Sequence, residues 1–306
     1  MVENDYSGKR QSLPLHMGME KMLNFSDRHP LQRISMAMSP LPSTFAPLVF
    51  AGKLKDGIEA LAKAGFNGVE ISLRHATDLD ADWLADILEE AGLEVSAFAS
   101  GRLCLEDSIC LSDPNPATRK IIFEELSAIL KLASSFHAPL IIGGVRGKFT
   151  GSEIQKAEQR ASAIDTLLRC AKVAEDLGTH LLLEPINRYE TNFINSAQDG
   201  LDLINDIGHP AIKMLLDTFH MNIEEADVCG TLRMVGDQLG YMHFADNNRL
   251  ALGQGHFDFL SLLRTLADIN FNGFISAEIL PRPDDATAVT QTGQYLHALI
   301  SKVIGS

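Results

Sequence analysis

The sequence predicts an α/β fold, a closed (β/α)8 TIM barrel in which eight parallel strands alternate with eight helices. Short apolar runs and longer helix-like stretches alternate regularly from Arg33 onward, and eight such pairs follow one another. Several consecutive apolar runs are separated by roughly 30 residues, the length that one strand and its crossover helix require. The runs are mostly apolar without strict alternation, as expected of strands buried on both faces.

The eight strands are expected at 33–38, 67–73, 93–99, 138–144, 179–184, 212–217, 239–245 and 272–278. The helices are expected at 52–65, 79–92, 116–136, 151–178, 196–208, 227–237, 258–269 and 286–304. Gly65, Gly92 and Gly178 stand at the ends of three of these helices. Glycine at this place is typical of the left-handed residue that ends a helix before the next strand.

A doubly wound open sheet is the competing α/β architecture. Its first strand would lead into a glycine-rich turn that binds phosphate. Here the first strand leads into Ser-Pro-Leu-Pro-Ser-Thr at 39–44, and the sequence contains neither GxGxxG nor a P-loop. We therefore expect one barrel domain at 33–306, preceded by a polar N-terminal extension at 1–32.

Composition narrows the function classes. The chain of 306 residues carries 40 acidic and 26 basic residues, a net charge of −14 that opposes binding to nucleic acid. No apolar run approaches the roughly 18 residues of a membrane span. The acidic start of the chain also lacks the basic residues of a signal peptide. We expect a cytoplasmic protein with no membrane partner, in which Cys104, Cys110, Cys170 and Cys229 are reduced thiols.

Four polar residues end the last four predicted strands. Glu184, Asp217, His243 and Glu278 follow one another at intervals of 33, 26 and 35 residues. Parallel barrel strands bring their carboxyl ends to one face, where three carboxylates would repel one another without a cation between them. Two glutamates, one aspartate and one imidazole suit a divalent ion such as Mn²⁺, Mg²⁺ or Co²⁺ better than structural zinc. The competing interpretation is that each residue only caps its strand or the next helix.

Further polar residues follow these strand ends. Glu190, His220 and Arg249 lie in the loops after the fifth, sixth and seventh strands and are candidate substrate contacts. Each has an ordinary alternative, respectively a solvated acid, a packed helix-start imidazole and a surface ion pair. Arg146 follows the fourth strand between glycines, where its guanidinium could hold a substrate carboxylate by two hydrogen bonds or pair with a loop acid.

Four other residues are weaker candidates. Arg74 and His75 follow the second strand, and His256 stands at a helix start, where it could line the pocket or serve as a cap. Glu70 lies within the second strand, and we interpret it as a buried structural acid.

Several motifs together resemble a known family. They are LEPINRYE at 183–190, LLDTFHMNIEE at 215–225, HFADNNR at 243–249, GQGHFDF at 253–259 and SAEIL at 276–280. They resemble the ketose 3-epimerases, the tagatose/psicose branch of the xylose-isomerase-like TIM barrels, and within it the 5-keto-L-gluconate epimerases. The resemblance extends from about Phe45 to Leu280, and residues 1–32 have no recognised counterpart.

The resemblance implies a role for each residue. Glu184, Asp217, His243 and Glu278 would hold one Mn²⁺-like ion, while Glu184 and Glu278 exchange the C3 proton on opposite faces of a small sugar or sugar acid. Glu190, His220 and Arg249 match family positions that bind substrate oxygens near the reacting carbons. The favoured substrate pair is 5-keto-L-gluconate and D-tagaturonate, with Arg146 receiving the carboxylate. Related barrels also imply a homodimer or homotetramer.

Three alternatives stay open. A hydroxypyruvate or other aldose–ketose isomerase would use the same barrel and similar glutamates. A hydrolase like the AP endonucleases would use several metals and more histidine ligands, and the acidic surface opposes its DNA substrate. A metal-binding barrel without turnover would need the ligands alone.

Overall fold

The computed structural model describes residues 29–305, and it has the predicted architecture. The strands are β1 Ile34–Met38, β2 Gly68–Ser72, β3 Glu94–Ala99, β4 Leu140–Ile142, β5 Leu181–Leu183, β6 Ile212–Asp217, β7 Leu239–Phe244 and β8 Phe274–Ala277. Each strand pairs in parallel with the next, and β8 pairs with β1, so that the sheet closes. The predicted (β/α)8 barrel is confirmed.

Helices separate the strands. They are α1 Leu54–Lys63, α2 Ala81–Ala91, α3 Gly101–Asp107, α4 Pro116–Ser135, α5 Glu153–Asp176, α6 Ala197–Ile207, α7 Thr218–Glu224, α8 Val228–Val235, α9 Phe259–Asp268 and α10 Asp285–Ile304. All eight predicted helices are present within a few residues of their expected bounds. Helices α3 and α7, of seven residues each, are additional. Two turns are too short for a helical period to be visible in a sequence.

Helix α2 shows how the sequence sets these bounds. The Asp80 side chain accepts the N–H of Trp83 at 3.1 Å, which caps the first turn. Gly92 ends the helix with φ +66°, a left-handed conformation that glycine adopts without strain. Leu84 and Leu88 lie one turn apart and are buried against the barrel.

The core lies in two layers. The larger layer packs the strands against the surrounding helices. A smaller cluster takes one side chain from each of the last six strands, namely Ala97, Ile141, Leu182, Leu215, Tyr241 and Phe274. These side chains fill the barrel as a packed core, not a pore. The polar residues at the carboxyl ends of the strands therefore stand on a rigid base.

The first described residues pack against the barrel. Leu31, in a 3₁₀ turn at Pro30–Gln32, has no exposed surface. Most of the predicted N-terminal extension, residues 1–28, lies outside the described residues. Within 29–305, no helix has both the length and the apolar composition needed to cross a membrane.

One prediction about cysteine is wrong. Cys104 and Cys110 form a disulfide, whereas Cys170 and Cys229 are free. Ser108, in the left-handed conformation with φ +58°, ends α3 and turns the chain back, so the two Cα atoms lie 4.7 Å apart. A spacing of six residues gives no sign of this reversal in the sequence.

Candidate active site

The four predicted metal ligands converge at the carboxyl end of the barrel. Glu184 directly follows β5, Asp217 ends β6, His243 lies in β7 and Glu278 directly follows β8. All four are buried, with residue exposures between 1% and 7%. Glu184, His243 and Glu278 line a cavity of about 760 Å³, whose wall also includes the predicted contact residues of the loops.

The geometry of the four side chains fits a divalent cation. The Nδ1 atom of His243 lies 3.3 Å from Glu184 Oε1 and 3.8 Å from Asp217 Oδ2. One ligand atom from each of Asp217, His243 and Glu278 lies within 4.8 Å of the other two, and the same holds for Glu184, Asp217 and His220. Asp217 Oδ2 and His243 Nδ1 are buried without a hydrogen-bond partner among residues 29–305. Buried polar atoms are normally paired, so this convergence indicates a place for a cation.

Asp217 uses its two oxygens differently. Its Oδ1 accepts the N–H of Phe219 at 2.7 Å and thereby caps α7. Its Oδ2 faces the cluster. The capping interpretation and the ligand interpretation therefore do not exclude each other at this position.

The two glutamates differ in their electrostatic environment. Burial raises the pKa of Glu278 to about 8, although the positive charge of Arg249 opposes the shift. Burial also acts to raise the pKa of Glu184, but the contact and charge of His243 outweigh it and lower this pKa. Burial lowers the pKa of His243, yet the charge of Glu70 and the contact with Glu184 lift it well above its usual value. Two carboxyl groups whose pKa values are shifted in opposite directions are suited to different steps of a proton exchange.

The backbone next to Glu184 leaves room for its carboxylate. A Cβ atom at Gly143 would overlap Glu184 Oε2. Glycine at the end of β4 is therefore required for this side chain to reach the cluster in the orientation observed.

Arg249 and Glu190 meet on one wall of the cavity. Arg249 Nη2 donates a hydrogen bond to Glu278 Oε2, and its Nη1 lies 3.6 Å from Glu190 Oε1. The guanidinium lies 4.7 Å from the centre of the Phe219 ring, a cation–π contact that helps to hold it in place. Arg249 is thus mostly buried rather than part of a surface ion pair, and it links the candidate ligand Glu278 to Glu190, a partly exposed candidate substrate contact.

Asn187, which the sequence interpretation missed, orients His220. The Asn187 amide accepts the N–H of Tyr189 through Oδ1, so its Nδ2 is the donor to both Glu190 Oε1 at 2.9 Å and His220 Nδ1 at 2.8 Å. A neutral His220 therefore carries its proton on Nε2, which faces Asp217 Oδ2 at 3.9 Å. This arrangement suits a hydrogen-bond donor to substrate better than a metal ligand.

Arg146 follows β4 at the wall of the cavity, as the sequence predicts, but its guanidinium is directed at the protein backbone. The residue is 1% exposed, and its guanidinium donates to the backbone carbonyls of Gly143, Phe193 and Glu184. These bonds tie the loop after β4 to the loop after β5. They do not support the predicted grip on a substrate carboxylate, because at least three of the five N–H donors already have protein acceptors.

The weaker candidates lie outside the cavity wall. Arg74 and His75 contact Asp107 at 3.5 Å and 3.1 Å, and His75 also contacts Glu125 at 3.0 Å. His256 is exposed, with its backbone N–H bound to an asparagine side chain. These contacts join loops and helices and place none of the three residues at the cluster.

Two features of the outer wall had no signal in the sequence. The Cys104–Cys110 disulfide borders the cavity. Lys148 also borders it and is exposed, with no ion pair recorded among residues 29–305.

Comparison with known proteins agrees with the fold. Residues 58–297 match the family described as xylose isomerase-like TIM barrel. An L-ribulose 3-epimerase from Methylomonas sp. (strain DH-1) is 31% identical over 230 residues, which cover 74% of this chain and 79% of that protein. A D-psicose 3-epimerase from Ruminiclostridium cellulolyticum is 32% identical over 227 residues, covering 72% and 76% of the two chains.

A solved structure of a ketose 3-epimerase is also similar to this chain. The crystal structure of D-psicose 3-epimerase with D-tagatose from Clostridium cellulolyticum H10 superposes with a TM-score of 0.74 and 25% identity, covering 89% of this chain and 99% of that chain. The family match, the relatives and the superposition point to one group. The chain belongs to the xylose isomerase-like TIM barrels, among the carbohydrate isomerases that include the ketose 3-epimerases.

Proposed function

We propose that this protein is a metal-dependent epimerase that inverts C3 of a ketose through an enediolate. The observation that carries the proposal is the pair of buried glutamates, Glu184 and Glu278, which converge with Asp217 and His243 at the carboxyl end of the barrel. The relatives named L-ribulose 3-epimerase and D-psicose 3-epimerase support the same reaction class.

The reaction needs a base and an acid on opposite faces of the substrate. A C–H next to a ketone is a very weak acid, so its removal requires a nearby carboxylate and stabilisation of the charge that develops. When bound, a divalent ion supplies that stabilisation as a Lewis acid, and the oxygen-rich donor set favours Mn²⁺. Glu184, with its lowered pKa, is suited to accept the proton. Glu278, whose carboxylate is held by Arg249, would return a proton to the other face.

The neighbouring side chains would hold the substrate. Arg249 and His220 present N–H groups beside the two glutamates, and Glu190 offers an acceptor for a hydroxyl group. Donors fixed by second contacts keep the substrate oriented and resist the loss of a hydroxyl group from the enediolate.

The substrate that we place first is a neutral ketose. The donors of Arg146 are directed at backbone carbonyls, so the main argument for a sugar acid is weakened. A keto-uronic acid, with 5-keto-L-gluconate and D-tagaturonate as the pair, is the second candidate because Lys148 stands exposed at the cavity wall. A cytoplasmic homodimer or homotetramer completes the proposal.

The decisive experiment is epimerisation in D₂O. Mn²⁺-loaded protein would be mixed separately with D-psicose, L-ribulose and D-tagaturonate, and products would be followed by NMR and mass spectrometry. We expect the C3 epimer of one neutral ketose, with deuterium at C3. An aldose product would instead identify an aldose–ketose isomerase. Absence of both exchange and product with every substrate would contradict the proposal. Glu278→Gln serves as the control for exchange that does not depend on the site.

A further inference from the structure

We propose that Glu70 is a positioning residue that sets His243 to bind the divalent ion through Nδ1. This inference rests on the proposed function, because it assumes that His243 is a metal ligand. Glu70 lies in β2, on a different strand from each of the four candidate ligands, and the sequence indicated only a buried structural acid there.

The contact between the two residues is direct and buried. His243 Nε2 lies 2.9 Å from Glu70 Oε2, and each side chain is 1% exposed. An ionised carboxylate only accepts hydrogen bonds, so Nε2 carries the proton in this contact. The lone pair of a neutral ring then belongs to Nδ1, the nitrogen that faces Glu184 and Asp217.

A framework from other strands holds Glu70 in place. Tyr241 OH donates to the same oxygen, Glu70 Oε2, at 3.0 Å. The Tyr241 hydroxyl in turn lies 2.8 Å from Ser96 Oγ and 3.3 Å from Ser35 Oγ. Residues of β1, β2, β3 and β7 therefore fix the carboxylate before any ion binds.

Packing alone gives no reason for a carboxylate at this position. Glu70 Oε1 is buried without a hydrogen-bond partner among the described residues, which is costly for a charged group. Both donors to the residue converge on Oε2, and of these two only His243 reaches the ligand cluster. The arrangement matches the carboxylate–histidine pairs that orient metal-binding imidazoles and raise their basicity.

The test compares Mn²⁺ affinity in three proteins, measured by isothermal titration calorimetry. Glu70→Gln keeps the size of the side chain and removes its charge, and we expect the dissociation constant for Mn²⁺ to rise by about 10- to 100-fold. Glu225→Gln is the matched control, since it neutralises another partly buried carboxylate, one that binds the N–H of Ala197 and the hydroxyl of Thr231 and does not contact the ligand cluster. A merely structural Glu70 would give equal, small changes in both variants, and that result would overturn the inference.

A second measurement needs no variant. With ¹⁵N-labelled histidine in Mg²⁺-loaded wild-type protein, NMR should show His243 protonated at Nε2, with the proton signal shifted far downfield. A proton on Nδ1 would refute the inference even if Glu70→Gln failed to fold.

The two proposals can fail separately. If Glu70→Gln weakens Mn²⁺ binding and the wild-type protein epimerises no ketose, the Glu70 inference stands and the proposed function falls. If the wild-type protein epimerises a ketose and Glu70→Gln binds Mn²⁺ as tightly, only the Glu70 inference falls. A wild-type protein that binds no divalent ion would overturn both.

Discussion

Replacing Arg146 with methionine tests whether this arginine braces the site or grips the substrate. The change removes hydrogen bonds to the carbonyls of Gly143, Phe193 and Glu184 and leaves these oxygens next to an apolar side chain. Each buried acceptor left unpaired costs about 1–3 kcal/mol. Partial relaxation of the loops reduces the sum, so we expect the free energy of unfolding to fall by about 3–5 kcal/mol.

The assay pairs stability with selectivity. Urea denaturation gives the loss in the free energy of unfolding, and kcat/KM is measured for a neutral ketose and for a keto-uronic acid. Because Arg146 holds the backbone carbonyl of Glu184, we expect kcat/KM to fall by the same factor for both substrates. The control is Arg160→Met, which removes a partly exposed ion pair with Asp206 and should cost no more than about 1 kcal/mol. Unchanged stability together with a selective loss on the keto-uronic acid would refute this reasoning and restore the carboxylate grip.

Four further outcomes are expected. Glu278→Gln should lower kcat by at least about 10²–10⁴-fold in steady-state assays, since it removes one proton-transfer group, and a near wild-type rate with Mn²⁺ bound would rule out that role. Gly143→Ala should lower kcat by about 100-fold with little effect on the melting temperature, because the new methyl group displaces the Glu184 carboxylate, and unaltered kinetics would show that the carboxylate can shift freely. Removing Mn²⁺ with EDTA should lower the melting temperature, corresponding to about 2.7 kcal/mol if the ion had been present at 100 times its dissociation constant, and Glu184→Ala should reduce this difference. In metal-free protein, the folded-state pKa of Glu278 is raised from 4.5 to about 8. Its contribution to the free energy of unfolding is therefore present at low pH and is lost as the pH rises from 4.5 to about 8. Urea titrations should show the free energy of unfolding falling with pH in the wild type and falling less steeply in Glu278→Gln.

The strands and four site residues could be predicted because their signals are local. A buried parallel strand leaves an unbroken apolar run, and a polar residue that ends such a run is conspicuous in the sequence. Glu184, Asp217, His243 and Glu278 were found in this way, and the structure brings all four together. The closed barrel supplies the rest, because it directs every strand end to the same face.

The contacts that the sequence did not reveal involve partners that are distant in sequence or that carry no side-chain signal. Arg146 looked available because its acceptors are backbone carbonyls, one of them 47 residues away at Phe193. Glu70 is buried, as predicted, but its contact with His243 could not be foreseen, because the two residues are 173 positions apart in the sequence. The contacts of these two residues are determined by the closure of the barrel and by loop conformation, and neither is visible in a local pattern.

The candidate ligands share one design feature, since each is held by a second contact that does not involve the cluster. Asp217 caps α7 with its other oxygen, His243 uses its other nitrogen on Glu70, and the carbonyl of Glu184 binds Arg146. Glu278 is held through Arg249, which also lies near Glu190, a candidate substrate contact. Because the fold itself sets these positions, binding of an ion would cost little conformational entropy of the ligand side chains. Mutating a residue that holds a ligand should therefore weaken metal binding without removing a ligand. The separation between ligands and the residues that hold them therefore gives two groups of variants whose effects on metal affinity and on turnover can be compared directly.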